Sequence, residues 1–311
     1  MDFSNEDCFD TGWTLHIDAD SIIFAQCCIF NDDSDVDRHR ITQGVRRRVL
    51  ELTLDAGCDA AICFLTTSTN FRDDMVDDYK ANRDADKKPK PINLAWAKRW
   101  TARNLTCIFK NKLEADDLLG IWSGGNSIIW SIDKDLRQIP GKHLDDSTRK
   151  VVTITEEGIL KDLGKKVYFD GLAGFYYQCL TGDSTDYIVG CGKRIPKVYK
   201  SGAKKGQEYT SRSGVGPQAA VQIILQAYMA RGDSKANMLQ AVRDEYQKLH
   251  GADWQEHLET QANLLFMVRE MHEGRFIKRW THDDREEYFD LVEGVISNDY
   301  TPPATEDGRD T

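Results

Sequence analysis

Residues 127–135 read SIIWSIDKD: an apolar, β-branched and aromatic run that ends abruptly in two carboxylates, Asp133 and Asp135. An apolar run of this length between polar boundaries predicts a strand covered on both faces, over Ser127–Ile132. WTLHID at residues 13–18 has the same form, with Trp13, Leu15 and Ile17 alternating before Asp18. DAAICFL at 59–65 and the segment Leu105–Phe109 supply two further strands. Between them, Ser21–Phe30, Val36–Leu54, Leu94–Arg103 and Leu113–Trp122 carry helical patterns. Strands that alternate with helices predict an α/β fold with a mostly parallel central sheet flanked by helices. Ligands of such sheets gather beyond the carboxyl ends of the strands, which is where Asp18 and Asp133 stand.

Beyond Val167 the pattern turns helical, with helices expected over Tyr168–Leu180, Pro217–Met229, Ser234–Leu249 and Trp254–Glu273. Gly216 before Pro217 marks a helix start, since proline fits the first turn. The segment 193–213 (KRIPKVYKSGAKKGQEYTSRS) is rich in Lys and Gly and reads as a loop. Asn70–Pro91 is so charged that it should be mobile or order only on binding, and the tail from Ser297 reads as disordered. No internal repeat is present.

The 311 residues are 40% hydrophobic and 30% charged, a globular composition. No apolar stretch is long enough to span a bilayer and the acidic start lacks a signal-peptide core, so a cytoplasmic protein is expected. None of the eight cysteines has C-x-x-C spacing, which favours free thiols over disulfides or zinc. The net charge of −10 argues against a polyanionic partner, but its distribution does not. Residues 72–112 hold eleven Lys/Arg against six Asp/Glu, and residues 193–212 hold seven against one. Local basic stripes of this kind can engage phosphates.

Four acidic motifs follow apolar residues: Asp18–Asp20, Glu114–Asp117, Asp133–Asp135 and Asp183–Asp186. Asp133 and Asp135 share one side of an extended segment, and Glu114/Asp117 and Asp183/Asp186 share a side of a helical turn. Asp116 can face with Glu114 only if the chain is just entering its helix there. Each pair alone suits a helix cap or a solvated turn. Gathered together, the acids would repel one another unless divalent cations neutralise them, and hard ions such as Mg2+ prefer such oxygen ligands.

The motifs LEADDLLG (113–120), SIDKDLRQIPG (131–141), GDSTDYIVG (182–190) and DYKANRD (78–84) together resemble the 5′-nuclease superfamily of flap endonucleases and 5′→3′ exonucleases, and most of all its small phage members. The resemblance covers roughly residues 13–280 and implies a PIN-like nuclease core over 13–166 that includes a helical arch at about 70–103. It further implies a helical DNA-binding region over 167–280 with a helix-hairpin-helix-like element; beyond it, residues 281–311 read by composition as an acidic, partly disordered tail. By position it implies that Asp18, Glu114, Asp116, Asp117, Asp133, Asp135, Asp183 and Asp186 bind two Mg2+ ions, with Mn2+ as a substitute. Lys80 and Arg83 would stabilise charge at the scissile phosphate. Tyr79, Arg72, Gly214 and Gly216 would bind substrate, with K+ an option at the glycine turn. The implied activity is cleavage of double-stranded DNA at 5′ ends, nicks or flaps, extending to RNA primers in RNA–DNA hybrids, in the host cytoplasm during phage replication. One departure is Thr67, which stands where many relatives place an Asp; Asp20 is a candidate to substitute for it. The alternatives are a compact ribonuclease, which would lack the arch and the glycine turn, and a non-catalytic DNA junction-binding protein with a degraded metal site.

Overall fold

The computed structural model describes residues 12–81, 89–164 and 166–291. Its main sheet has six strands in the order β3-β2-β1-β4-β5-β6. These are β1 (Thr14–Asp18), β2 (Ala60–Phe64), β3 (Cys107–Ile108), β4 (Ser127–Trp130), β5 (Gly141–Asp145) and β6 (Lys150–Ile154). All pairings are parallel except that of β5 with β6, as the expected mostly parallel sheet requires. The chain starts at β1 and then builds outward on both sides, so the strand order reverses between β1 and β4. That reversal opens the crevice in which doubly wound sheets bind ligands.

Alternation along the strands sends their side chains to two different cores. Leu15, Ile17, Cys63, Ile128 and Trp130 pack with Ile22, Ile23, Ile41, Val45 and Ala97 from α1 (Ala19–Ile29), α2 (Asp35–Asp55) and α3 (Leu94–Asn104). On the other face, Phe64 and Ile129 pack with Leu118 and Leu119 of α4 (Ala115–Trp122) and with Met267 and Val268. Burial on both faces is why β4 reads as a continuous apolar run.

The second half forms its own core, from α5 (Gly171–Thr181), α6 (Pro217–Met229), α7 (Ser234–His250) and α8 (Trp254–Leu265). Two short strands precede it, β7 (Leu160–Asp162) and β8 (Val167–Phe169), so Tyr168 is in a strand and not in the helix expected to start there. A small sheet, β11 (Met271–His272), β12 (Phe276–Lys278) and β13 (Tyr288–Asp290), follows it.

Two further expectations are corrected. Segment 193–213 is no loop: β9 (Gly192–Val198) and β10 (Glu208–Gly214) pair along seven antiparallel positions. The lysines that suggested a loop occupy the solvent side of a ribbon that has no apolar face to declare itself. The helix expected over Trp254–Glu273 ends at Leu265, although the apolar pattern LLFMV continues. Residues 266–270 instead form an extended strap whose backbone is bound by side chains of the first half. In the segment expected to be mobile, Asn70–Ala81 is described and Phe71 and Arg72 are buried, while residues 82–88, including Arg83, lie outside the described residues. So does the tail from residue 292. The seven described cysteines are free.

Candidate active site

Asp18 closes β1, and Ser131 directly follows the neighbouring β4. The Ser131 hydroxyl donates to Asp18 Oδ2 at 2.8 Å and accepts from the Asp133 N–H at 2.9 Å. One hydroxyl therefore fixes acids from both sides of the crevice. Asp133 then starts a short 3-10 turn, accepting from the Asp135 N–H at 2.9 Å, and Asp135 Oδ1 accepts from the Gln178 side chain at 2.9 Å. Gln178 reaches out from α5, buried to 4% exposure. Glu114 has extended backbone (φ −81°, ψ 163°) and the helix begins at Ala115. The chain is thus entering its helix here, and Glu114 and Asp116 both line one cavity, with Asp133, Asp135, Asp183 and Asp186. Asp183 and Ile188 exchange backbone hydrogen bonds of 2.9 and 2.7 Å, closing a loop that carries Asp183 and Asp186 to the cavity edge.

The electrostatics are those of crowded, partly dehydrated acids. Burial, with Asp20 and Asp133 nearby, pushes the Asp18 carboxyl up to about 7. Burial, with Asp133 and Asp183, does the same to Asp135. Asp116 is raised well above the usual range by burial and by Asp18, Asp133 and Glu114. Glu114 differs: burial would raise it, but Lys80 and Arg72 hold it below the ordinary value. Lys80 Nζ bonds the Glu114 carboxylate and lies 3.7 Å from Asp186 Oδ2, while its N–H donates to Asp186 O at 3.0 Å. Lys80 is held in the left-handed region at φ 58°, a conformation that costs energy away from glycine. The Tyr79 hydroxyl donates to Glu114 Oε2 at 3.1 Å.

Asp117 lies behind this cavity and binds Arg72, which lines it and lies 3.5 Å from Glu114 Oε2. Asp117 is 0% exposed and accepts from Arg72 at 2.7 and 2.8 Å, from Glu114 N–H at 3.3 Å and from Val268 N–H at 3.2 Å. Four donors fill the lone-pair positions of a carboxylate. Arg72 also donates to Leu264 O at 3.1 Å and Phe266 O at 2.8 Å. Both side chains are thus engaged in holding α4, the base of the charged segment and the strap together.

Thr67 is buried, with its hydroxyl 3.4 Å from Lys110 O. Asp20 pairs with Lys98 Nζ at 2.6 Å and accepts from Thr66 N–H at 3.0 Å, so a buried cation already neutralises the candidate substitute acid. Gly214 is at φ 128° and a Cβ there would meet Cys191 O at 2.3 Å, so it serves close backbone approach at the hairpin base. Gly216 caps α6, and a Cβ on it would meet nothing within 4 Å, which leaves that helix start open.

Among the described residues, the set of three potential ligand groups with atoms all within 4.8 Å of one another is Glu259, His282 and Asp283, away from this cavity. Arg285 donates to both Glu259 and Asp283 there, so an internal cation already balances that set. The cavity acids stand further apart, as repulsion dictates.

The model for the 5′-3′ exonuclease N-terminal, resolvase-like domain matches residues 14–164. An exonuclease of Escherichia phage T7 is 30% identical over 237 residues, which cover 66% of this chain and 76% of the relative. The chain belongs to the 5′–3′ exonuclease family. An exodeoxyribonuclease of Enterobacteria phage T3 is 29% identical over 234 residues, covering 66% of this exonuclease and 76% of that one. A T5 D15 protein crystallised with metal ions covers 81% of this chain and 92% of its own at a TM-score of 0.46 and 13% identity, too distant to carry an argument.

The matched domain of the exonuclease contains Asp18, Glu114, Asp116, Asp133 and Asp135; Asp183 and Asp186 come from the helical half. Ser131 and Gln178, which hold the acids in place, escaped the sequence reading. Ser131 sits inside a quoted motif as an ordinary strand-end residue, and Gln178 is a polar position in an otherwise apolar helix, which is the one signal that could have exposed it. None of the described helices is long and apolar enough to cross a membrane.

Proposed function

We propose that this exonuclease hydrolyses DNA phosphodiesters from duplex 5′ ends, nicks or flaps with the help of divalent ions, Mg2+ by preference and Mn2+ as a substitute. The observation that carries this is the convergence of acids from three separate chain segments on one cavity, with Asp18 of a fourth segment close enough to act on Asp116, and with Asp18, Asp116 and Asp135 all pushed up by burial and neighbouring acids. Only oxygen donors face the cavity in number, and their charge calls for hard cations. Asp18 and Asp133 act on Asp116, and Asp183 acts on Asp135, so Asp18, Asp116 and Asp133 would hold one ion and Asp135, Asp183 and Asp186 the other, with Glu114 also available. When bound, such a pair supplies the Lewis acidity that lets water attack phosphorus and stabilises the leaving oxygen. Asp117 is left out of the ligand set, because its lone pairs are committed to Arg72 and two backbone donors.

The remaining work falls to the protein's own donors. Lys80 is poised at the cavity edge on Glu114 and Asp186, and exchanging those carboxylates for the scissile phosphate would place its ammonium against developing negative charge. Arg83, three residues on, would act beside it. Tyr79 is anchored by Glu114 and packed against the helical core, and the edge it leaves at the cavity would meet the terminal base. The open start of α6 at Gly216 suits a phosphate of the duplex, with K+ as an added neutralising ion. The chemistry attacks phosphorus and does not read the 2′-OH, which extends the substrates to RNA–DNA hybrids and fits primer removal in phage replication.

The test is metal-dependent digestion of 5′-labelled blunt, nicked and flapped duplexes beside single-stranded RNA. Short 5′-labelled products from the duplexes are expected, and their loss in Asp116→Asn. Tight flap binding with no cleavage at any Mg2+ or Mn2+ concentration would refute the proposal in favour of a junction-binding protein.

A further inference from the structure

Five lysines of the β9–β10 ribbon and its tip, Lys193, Lys197, Lys200, Lys204 and Lys205, are exposed and none pairs with a carboxylate among the described residues. Elsewhere in this chain of net charge −10, Arg38, Arg48, Lys112, Arg149, Lys235 and Arg285 find acids; what marks the ribbon is that five such lysines stand together on one exposed element. From Ile195 to Thr210 every residue but Tyr199 is exposed, so the ribbon stands out from the body and buries no core of its own.

Its base, by contrast, is fixed. Arg212 donates to the carbonyls of Leu180, Val189 and Val215, which ties the ribbon to the end of α5 and to the loop bearing Asp183 and Asp186. Arg194 bonds Asp78 and Tyr187 O and lies 3.6 Å over the Tyr187 ring, tying the other strand to the segment that carries Tyr79 and Lys80. The Tyr199 and Tyr209 rings, 4.3 Å apart, stiffen the tip. A groove of about 820 Å³ runs from Asp183 and Gln178 along the inner side of the ribbon, past Lys134, Lys166 and Phe169.

We propose that the β9–β10 ribbon is a second nucleic-acid contact, an arm that follows the sugar–phosphate backbone of the duplex away from the cleavage site. This rests on the DNA reading of the active site. A stiff two-stranded ribbon has the width that a B-DNA major groove admits. Strands of seven residues reach about 23 Å at ~3.3 Å per residue. That length corresponds to about seven base pairs at the 3.4 Å repeat of one strand. The arm's function is grip: it adds phosphate contacts beyond the acids, and through Arg194 and Arg212 it fixes the duplex relative to Lys80 and Asp183.

The experiment compares the wild-type chain with a variant carrying Lys197→Gln, Lys200→Gln, Lys204→Gln and Lys205→Gln. Binding to DNA hairpins with stems of about 8 and 24 base pairs, and to a single strand of matching length, is measured in EDTA against salt. Each lysine that meets a phosphate contributes about 0.9 to the slope of log affinity against log salt. The variant should lose ~10-fold or more in affinity for the long stem, with a slope lower by up to about 3.6. The loss should be much smaller on the short stem, and Lys→Arg at the same positions should retain wild-type behaviour. Equal salt slopes for variant and wild type on the long stem would overturn the inference. Equal losses on duplex and single strand would overturn it too, by marking a polyanion sink. Wild-type cleavage of the same labelled stems with Mg2+ tests the active-site reading separately: cleavage without an arm effect refutes only the arm, and absence of both binding and cleavage refutes both.

Discussion

Replacing Asp116 and Asp117 separately by Asn should give opposite results, although the two residues are adjacent. Asp117 is fully buried and accepts four hydrogen bonds, two of them from Arg72, which is itself 3% exposed. Asn keeps the shape but removes the charge and turns an amide donor toward a guanidinium donor. Breaking a buried pair by removing one partner costs about 3–5 kcal/mol. For a chain of this size that lowers the melting temperature by on the order of 10 °C. Asp116 sits among like charges that raise its carboxyl well above the usual range, so Asn there relieves repulsion. Asp116→Asn should melt at or above the wild-type temperature in EDTA, lose the stabilisation that Mg2+ gives the wild type, and lose cleavage ~100-fold or more, since about 3 kcal/mol of transition-state stabilisation is at stake. Thermal melts by circular dichroism in EDTA and in Mg2+, with cleavage of a labelled duplex, read all three quantities. A further variant, Asp117→Leu with Arg72→Met, should recover much of the lost stability, because apolar side chains of similar volume often replace a buried ion pair at little cost. An Asp117→Asn protein that melts like wild type yet fails to cleave would refute the reasoning and return Asp117 to the ligands. Destabilisation of Asp116→Asn in EDTA would refute the repulsion argument.

Lys80→Ala should lower the cleavage rate ~100-fold with duplex affinity largely kept, as expected for a donor to developing charge; an equal fall in affinity and rate would make it a binding residue only. His143, buried on β5, has its pKa lowered by burial from 6.5 to about 4. The unfolded chain therefore binds more protons between these values, so this stabilising contribution is complete above pH 6.5 and is lost as pH falls toward 4, by about 3 kcal/mol in all. Denaturant titrations at pH 7 and pH 5 should show a smaller loss in His143→Phe than in wild type, and equal losses would remove His143 as the cause. Gly214→Ala should cost about 2 kcal/mol or more, because the left-handed φ and the Cys191 carbonyl both oppose a Cβ. Gly216→Ala, where a Cβ meets open space, should cost under about 1 kcal/mol, and similar melting points for the two variants would count against this distinction.

What the sequence revealed and what it hid follow from where each residue's partners come from. β4 is buried on both faces and reads as an unbroken apolar run, β1 alternates up to Asp18, and an acid marks the end of each; β2 runs into Thr66 and Thr67 instead. The outer strands β5 and β6 carry Lys142, Asp145 and Lys150 and have exposed positions, so no apolar run betrays them. The β9–β10 ribbon is two-sided and polar, and a chain of lysines resembles a loop whether or not it pairs. At the site, spacing foretold that Glu114 and Asp116 share a side only if the helix starts between them, and it starts at Ala115. Spacing could not separate Asp116 from Asp117. The distinction lies in Arg72 and Val268, which are 45 and 151 residues away from Asp117. The same holds for the strap: LLFMV continues a helical pattern, but Arg72, Asp117 and Gln138 supply better partners for its backbone than another turn would.

That strap also sets an order of events during synthesis. The Val268 carbonyl oxygen lies 2.1 Å from where a Cβ on Gly120 would be, and among the described residues the carbonyls that accept from the Arg72 side chain are those of Leu264 and Phe266. A ribosome that has released only the sheet and the first helices holds a chain in which Arg72 and Asp117 still lack these partners. At about 5–20 residues per second, the roughly 150 residues between Asp117 and the strap take some 8–30 seconds to make. The helix that carries Asp116 is locked into register only when the strap, some 151 residues beyond Asp117, has followed it out, so this part of a nascent nuclease stays unfinished long after its own residues have been translated.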